Sequence, residues 1–297
     1  MPPMEQATST DTGFDEARFG RYRRIADHDF PLEFLIAGEL AQFQTYAIPS
    51  ISRLLHRTAQ YEQDGLKRLD DTRATMTVIF SNPEGSAKRQ AMIQHLNWIH
   101  GHYTISNEDS LYTLLRLFLN PVEWIQRWGW RALSQEELDL LVAELVSVGK
   151  AMNIQFQDET FEGLNRWQQA YRAEREHYHP DNQAVALGTI HGLKAYFPRW
   201  LRPLVPTLVS ALLEDKDLLR HLGLTPASRF QQATVSSLLG LWRWGSKVYR
   251  PWERRPFSEG WLANRYPSYQ DNRLSLCQLG PRKLVRRRNA RSGCPFR

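Results

Sequence analysis

Apolar residues recur along most of this chain with the period of a helix rather than that of a strand. Ile36, Leu40, Phe43 and Ala47 follow the i, i+4, i+7, i+11 rule, which predicts a helix that Pro49 ends or kinks. Leu111, Leu114, Leu115 and Phe118 form a second stripe, entered through Ser106-Asn107-Glu108-Asp109, a capping-box pattern, with its expected end at Pro121. Ser134-Gln135-Glu136-Glu137 opens a third, with Leu138, Leu141, Val142 and Leu145 on one face, and Val205, Leu208, Val209 and Leu212 repeat the pattern later. No run alternates apolar and polar residues well enough to predict a sheet. The fold class is therefore all-α, without internal repeats or a composition break. Residues 1–14 read as a flexible N-terminus, 15–281 as one folded domain and 282–297 as a flexible basic tail. Between Trp244 and Asn272, aromatics, prolines and arginines crowd together. This stretch is expected to wrap the bundle irregularly with short helical turns. Trp252, Trp261, Tyr266 and Tyr269 would anchor it as packing residues rather than ligand contacts.

At 297 residues, with 42% hydrophobic and 24% charged positions, the composition is that of an ordinary globular protein, which excludes wholesale disorder and collagen-like repeats. Lys and Arg total 38 against 32 Asp and Glu, a formal charge of +6. The excess is local. Residues 281–297 carry seven basic and no acidic residues, which leaves 31 against 32 in the rest of the chain. A near-neutral body argues against a nucleic-acid partner. The tail reads as a solubilising end, the alternative being peripheral contact with an anionic membrane surface. Two cysteines, Cys277 and Cys294, are too few for a disulfide framework or a four-thiolate zinc site, and point to a reducing compartment. The polar start, Met1–Asp15, has no signal pattern. The longest apolar stretch, Trp200–Leu213, is interrupted by two prolines and an arginine, so no transmembrane segment is expected. The chain thus reads as cytoplasmic or peripherally membrane-bound.

The residues able to carry chemistry fall into three groups. On a helix spanning about residues 84–103, His100 shares the arc of Ile93, Leu96 and Tyr103, whereas His95 and His102 fall near Lys88 and read as solvated or rim positions. Asn97 stands one turn before His100. An imidazole in an apolar interior can ligate haem iron, its other ring nitrogen held by an acceptor; the plainer alternative is a hydrogen-bonded core histidine. The second group, Glu174 to His179, contains the Glu-x-x-His spacing of di-iron carboxylate proteins, but such sites need it on two helices and this chain has it in one segment. In the third, Arg68 and Thr72 are spaced one helical turn apart and continue into Met76 and Ile79, so both point the way the apolar face points. A buried arginine needs a strong partner, either an aspartate or a bound cofactor or oxygen species with the hydroxyl beside it.

Taken in order, these pieces resemble a known family. Arg68-x-x-Asp71-Thr72 is followed by Leu96-Asn97-Trp98-Ile99-His100, then by Ile105 to Leu114, with its Leu-Tyr-Thr-Leu element. Pro121-Val122-Glu123-Trp124-Ile125, Gly129-Trp130-Arg131 and Gly149 to Ile154 come next. The string is similar to the fungal ER-bound oxygenases of the mpaB type, known from mycophenolic acid biosynthesis, which share their catalytic domain with bacterial rubber oxygenase, the latex-clearing protein. With Glu39 to Pro49 and Leu279-Gly280-Pro281, the resemblance covers roughly residues 20–281.

The resemblance implies a globin-like helical bundle around a b-type haem, with O2 as co-substrate. By position His100 matches the proximal iron ligand and Arg68 and Thr72 the distal arginine and threonine. Asn97 stands where the bacterial enzymes place an arginine and is assigned to cofactor binding. Asp71 replaces the distal lysine, so no lysine-ligated resting state is expected. The catalytic base has no clear counterpart, Glu39 and Glu62 being the two candidates. Fungal members carry an N-terminal membrane-spanning segment. This chain begins too close to the domain for one, which makes it a soluble or peripheral member or one whose gene model lacks an exon. The implied function is haem-dependent oxidation of a C=C bond in a small apolar, prenyl- or terpenoid-like substrate, with cleavage to carbonyl products, in fungal secondary metabolism. The competing function is a haem-free helical carrier of a lipid or terpenoid.

Overall fold

The computed structural model describes residues 9–261 and 263–294. The described residues form helices and turns, as the periodicity predicts, with no strand among them. In chain order the helices are α1 (Ser9–Arg23), a π-helical turn (Arg24–Asp29), α2 (Pro31–Tyr46), α3 (Pro49–Thr58), α4 (Gln60–Phe80), α5 (Ala87–His100), α6 (Asn107–Trp128) and α7 (Gln135–Ala151). There follow α8 (Phe161–Arg175), α9 (Pro180–Leu193), α10 (Val205–Leu213), α11 (Lys216–His221), α12 (Arg229–Ser246) and α13 (Arg282–Ser292).

Local chemistry sets most of these boundaries. Helix α2 ends just before Pro49, as expected, and Pro49 itself opens α3, where its missing N–H costs nothing. The Ser134 hydroxyl accepts from the Glu137 amide while the Glu137 carboxylate accepts from the Ser134 amide, a complete capping box. Ser106 caps α6 by accepting from Asp109 N at 3.0 Å, but the Asp109 carboxylate is taken by Ser50 and Tyr171. Pro121 does not end α6. The helix runs on to Trp128, because Val122, Trp124 and Ile125 beyond the proline are buried as fully as Leu111 to Leu119 before it. That burial outweighs one lost backbone hydrogen bond.

Three apolar clusters make the core. One joins α4 to α7 through Val78, Met92, Leu115 and Leu145. Another joins α2, α9, α10 and α11 through Phe43, Val185, Val209 and Leu218. The third lies under the start of the chain, with Tyr22, Phe30, Ile125 and Leu141. Helices α4 and α9 cross at backbone contact, since a Cβ added to Gly188 would sit 2.8 Å from the Tyr61 carbonyl carbon and one added to Gly65 would sit 2.7 Å from the Gly188 oxygen.

Both chain ends depart from expectation. Residues 1–8 of the expected flexible N-terminus lie outside the described residues, and residues 9–14 belong to α1. The basic segment is not a flexible tail over residues 282–292. It forms α13, with Val285 buried, Arg282 on Asp64 at 2.5 Å, Arg288 donating to His95 at 2.7 Å, and a Cys277–Cys294 disulfide closing it onto the chain before it. That bridge corrects the reading of the two cysteines as reduced thiols. In the stretch from Trp244 to Asn272, Tyr266 and Tyr269 are buried anchors and Trp252 packs on Trp242 and Phe257. Trp261 is not an anchor, being 71% exposed.

Candidate functional site

The site lies where α4 meets α5. Helix α4 is broken at Asp64 (φ −145°, ψ 42°), one turn before Arg68, and the Arg68 guanidinium lies over the Tyr61 ring, 5.1 Å from its centroid. Arg68 Nη1 donates to the Thr72 hydroxyl, which itself donates to the Arg68 carbonyl at 3.0 Å. Burial opposes the charge on Arg68, but Tyr61, Tyr46 and Asp71 hold its pKa above the ordinary arginine value, so it remains a cation.

His100 ends α5 and faces this cation. Burial, followed by the positive charge of Arg68, pushes its pKa down to about 4. The imidazole is neutral at physiological pH, and among the described residues it has no hydrogen-bond partner. An inward, neutral and unbonded imidazole opposite an arginine fits the donor that a haem iron requires.

The other expected residues are sorted differently. Asn97 donates its amide to the Ala151 carbonyl at 2.9 Å, tying α5 to the end of α7. His102 is exposed, as expected. His95 is not a rim residue: it is 4% exposed, with Nε2 on the Leu279 carbonyl at 2.8 Å and Arg288 on Nδ1. The covering comes from residues almost two hundred positions away, which helical periodicity cannot register. His177 and His179 follow α8 in a loop, with His179 capping α9. Among the described residues no group of three or more His, Cys, Asp or Glu side chains could hold a metal ion.

Of the two base candidates, Glu62 is paired with His56 at 2.7 Å on the surface. Glu39 is the one held inside. Burial pushes its carboxyl up to about 7, against Arg73 and the 3.0 Å hydrogen bond from Gln42, which pull it down. Behind α4 and α5 runs a strap, Leu279-Gly280-Pro281. Leu279 accepts from His95 of α5, and the Gly280 amide donates to Asp71 of α4 at 3.1 Å. Gly280 has φ +107°, and a Cβ there would meet the Ile99 side chain at 2.8 Å, so this close approach requires glycine. The strap therefore fixes the two helices that carry Arg68, Thr72 and His100.

Residues 22–244 match the family described as ER-bound oxygenase mpaB/B'/Rubber oxygenase, catalytic domain. The chain belongs to that family. Among its relatives, the ER-bound oxygenase mpaB' of Penicillium brevicompactum is 30% identical over 220 residues, covering 68% of this chain and 52% of the relative. The ER-bound oxygenase mpaB of the same organism is 31% identical over 209 residues, covering 63% and 53%. The mpaB oxygenase of Penicillium roqueforti is 28% identical over 220 residues, covering 68% and 74%. The match thus spans about half the length of the two P. brevicompactum proteins. The mpaB/rubber oxygenase domain contains α2, α4 and α5, the helices bearing Glu39, Arg68, Thr72 and His100, while the strap and α13 lie beyond the matched residues. No helix among the described residues is long and apolar enough to cross a membrane.

Proposed function

We propose that this chain is a haem-dependent oxygenase that uses O2 to oxidise a C=C bond of a small apolar, prenyl- or terpenoid-like molecule, with cleavage to carbonyl products. The observation that carries the reading is the His100 imidazole, partly buried, neutral and without a hydrogen bond among the described residues, near enough to Arg68 for that cation to lower its pKa. Membership of an oxygenase family supports it. When bound, a b-type haem supplies the redox centre for oxygen chemistry.

His100 would hold the iron, its low pKa keeping the ring lone pair free of a proton at neutral pH. Arg68 would contribute the N–H donors not spent on Thr72 where negative charge develops on oxygen, and Thr72, whose own proton is held by the Arg68 carbonyl, positions the guanidinium. Tyr61 positions Arg68 from beneath. Glu39, with a carboxyl poised near neutrality, can hold or release a proton. Apolar side chains of the bundle would hold the alkene.

The test is an absorption spectrum of protein produced with ample haem, before and after dithionite, for the wild type, His100→Ala and Arg68→Ala. A Soret band that shifts on reduction, disappears in His100→Ala and persists without turnover in Arg68→Ala supports the assignment. A wild type that stays colourless after haem is added back removes the oxygenase reading and leaves the carrier.

A further inference from the structure

Glu39, Gln42 and Tyr46 stand at i, i+3 and i+7 on α2 and share one face of it. Gln42 and Tyr46 are almost out of solvent, as is Tyr61, which meets them from the start of α4. The Gln42 side chain spends both ends of its amide here. Its Nε2 donates to Glu39 Oε2 at 3.0 Å, and its Oε1 accepts from the Tyr61 hydroxyl at 3.2 Å and from the Tyr46 hydroxyl at 3.4 Å. Turned over, the amide would aim its oxygen at a carboxylate, so its partners fix one orientation. The Tyr61 ring held in this way is the one beneath the Arg68 guanidinium, 5.1 Å from centroid to cation. A continuous chain of contacts therefore runs from Glu39 through Gln42 and Tyr61 to Arg68, crossing from α2 to α4.

Given the reading of Glu39 as the proton-holding group and Arg68 as the cation at oxygen, on which this step rests, we propose that Gln42 is the positioning residue of the site. Its one amide sets the Glu39 carboxyl directly and the Arg68 guanidinium through Tyr61. The chemistry of an amide suits both duties. Its N–H favours the ionised carboxylate, opposing the burial that pushes Glu39 up to about 7. From α4, Arg73 acts in the same direction as Gln42 and Asp70 acts against it. Tyr196, a further neighbour, stays a neutral phenol that donates to Asp70. The amide oxygen meanwhile gives the buried Tyr61 hydroxyl an acceptor, which holds the ring as a seat for the guanidinium. A side chain with only a donor or only an acceptor performs one of these duties and not the other.

The experiment follows the Glu39 carboxyl of the full chain by infrared difference spectroscopy between about pH 4 and pH 9, its band assigned by loss in Glu39→Gln. The wild type is expected to titrate at about 7. Gln42→Met keeps the volume but removes both arms, and the midpoint rises by about one pH unit or more. Gln42→Glu still accepts from Tyr61 and sets a second carboxyl against Glu39, so the upper midpoint of the pair rises as well. Gln44→Met is the control for a merely structural loss. That amide on the same helix is spent on Asn120 and Arg116, and its removal leaves the Glu39 midpoint in place. In the haem-loaded protein, cyanide affinity reads the Arg68 arm. Gln42→Met and Tyr61→Phe each lower it about two- to tenfold with haem content unchanged, and the double variant loses no more than either alone, since both cut the same link. A Glu39 midpoint unmoved in Gln42→Met and Gln42→Glu, one that moves equally in Gln44→Met, or cyanide losses that are absent or additive overturns the proposal. A wild type that takes up no haem sinks the oxygenase reading, whereas the carboxyl titration, made without haem, still decides for or against Gln42.

Discussion

Lys67 and Asp71, one turn apart on α4, close an ion pair at 2.7 and 2.8 Å with both side chains almost out of solvent. It lies about a quarter turn around the helix from Arg68 and Thr72. The pair faces the strap: Lys67 also donates to the Gln278 and Gly280 carbonyls at 3.0 and 3.3 Å, and Asp71 accepts from Tyr269. Asp71 is thus a fastening for the C-terminal segment. Removing one partner strands a buried charge, so Asp71→Ala is expected to cost about 3–5 kcal/mol by urea denaturation. Lys67→Met with Asp71→Leu should recover much of that loss. A single variant within 1 kcal/mol of wild type would show that the pair is solvated.

Glu39 makes stability depend on pH in a direction opposite to an ordinary paired carboxylate. Its folded pKa is near 7 against 4.5 for the free group, so between these values the folded state binds more protons than the unfolded one. The penalty is absent below about pH 4.5, stability falls as pH rises from there through about 7, and it levels off above. Glu39→Gln should flatten that decline, matching the wild type at pH 4 and exceeding it at pH 8 by up to about 3 kcal/mol. Chemical denaturation at the two pH values measures the difference, and a variant less stable at pH 8 would contradict the burial of this carboxyl.

The helical class and the pairing of Arg68 with Thr72 were legible because each depends on spacing within one helix. What spacing could not carry was contact between distant segments. His95 falls on the polar side of its own helix, yet Leu279 and Arg288 cover it. Asn97 sits one turn from His100 but answers to Ala151. Pro121 is a stop signal locally, and burial on both sides of it carries the helix through. Glu39 could not be ranked above Glu62 by sequence, since what separates them is desolvation by the fold against a surface partner, His56.

The disulfide should govern how firmly α13 holds its place. Cys277 and Cys294 are 17 positions apart, and closing a loop of that size removes unfolded-state entropy worth about 3 kcal/mol. Cys277→Ser with Cys294→Ser is expected to lower stability by that order and to make residues 282–292 the first region cleaved in limited proteolysis. Arg282–Asp64 and Arg288–His95 remain but are partly solvent-facing contacts of modest strength. Equal protease resistance in both proteins would mean that these contacts alone secure the helix.

Two glycine substitutions separate close packing from helix propensity. Gly188→Ala places a methyl 2.8 Å from the Tyr61 carbonyl carbon and oxygen and 3.1 Å from the Glu62 amide. All three are backbone atoms of α4 and cannot rotate away, so α9 and α4 must separate at the turn that carries Tyr61 beneath Arg68. A loss of about 1–3 kcal/mol is expected. The Tyr61 displacement should also reduce turnover of the haem-loaded protein more than it reduces haem content. Gly240→Ala, on the outer side of α12, meets nothing within 4 Å. There only the gain in helix propensity remains, about 0.5–1 kcal/mol of added stability. Thermal unfolding of both variants distinguishes the two effects, and a neutral Gly188→Ala would show that the α4–α9 crossing is looser than backbone contact.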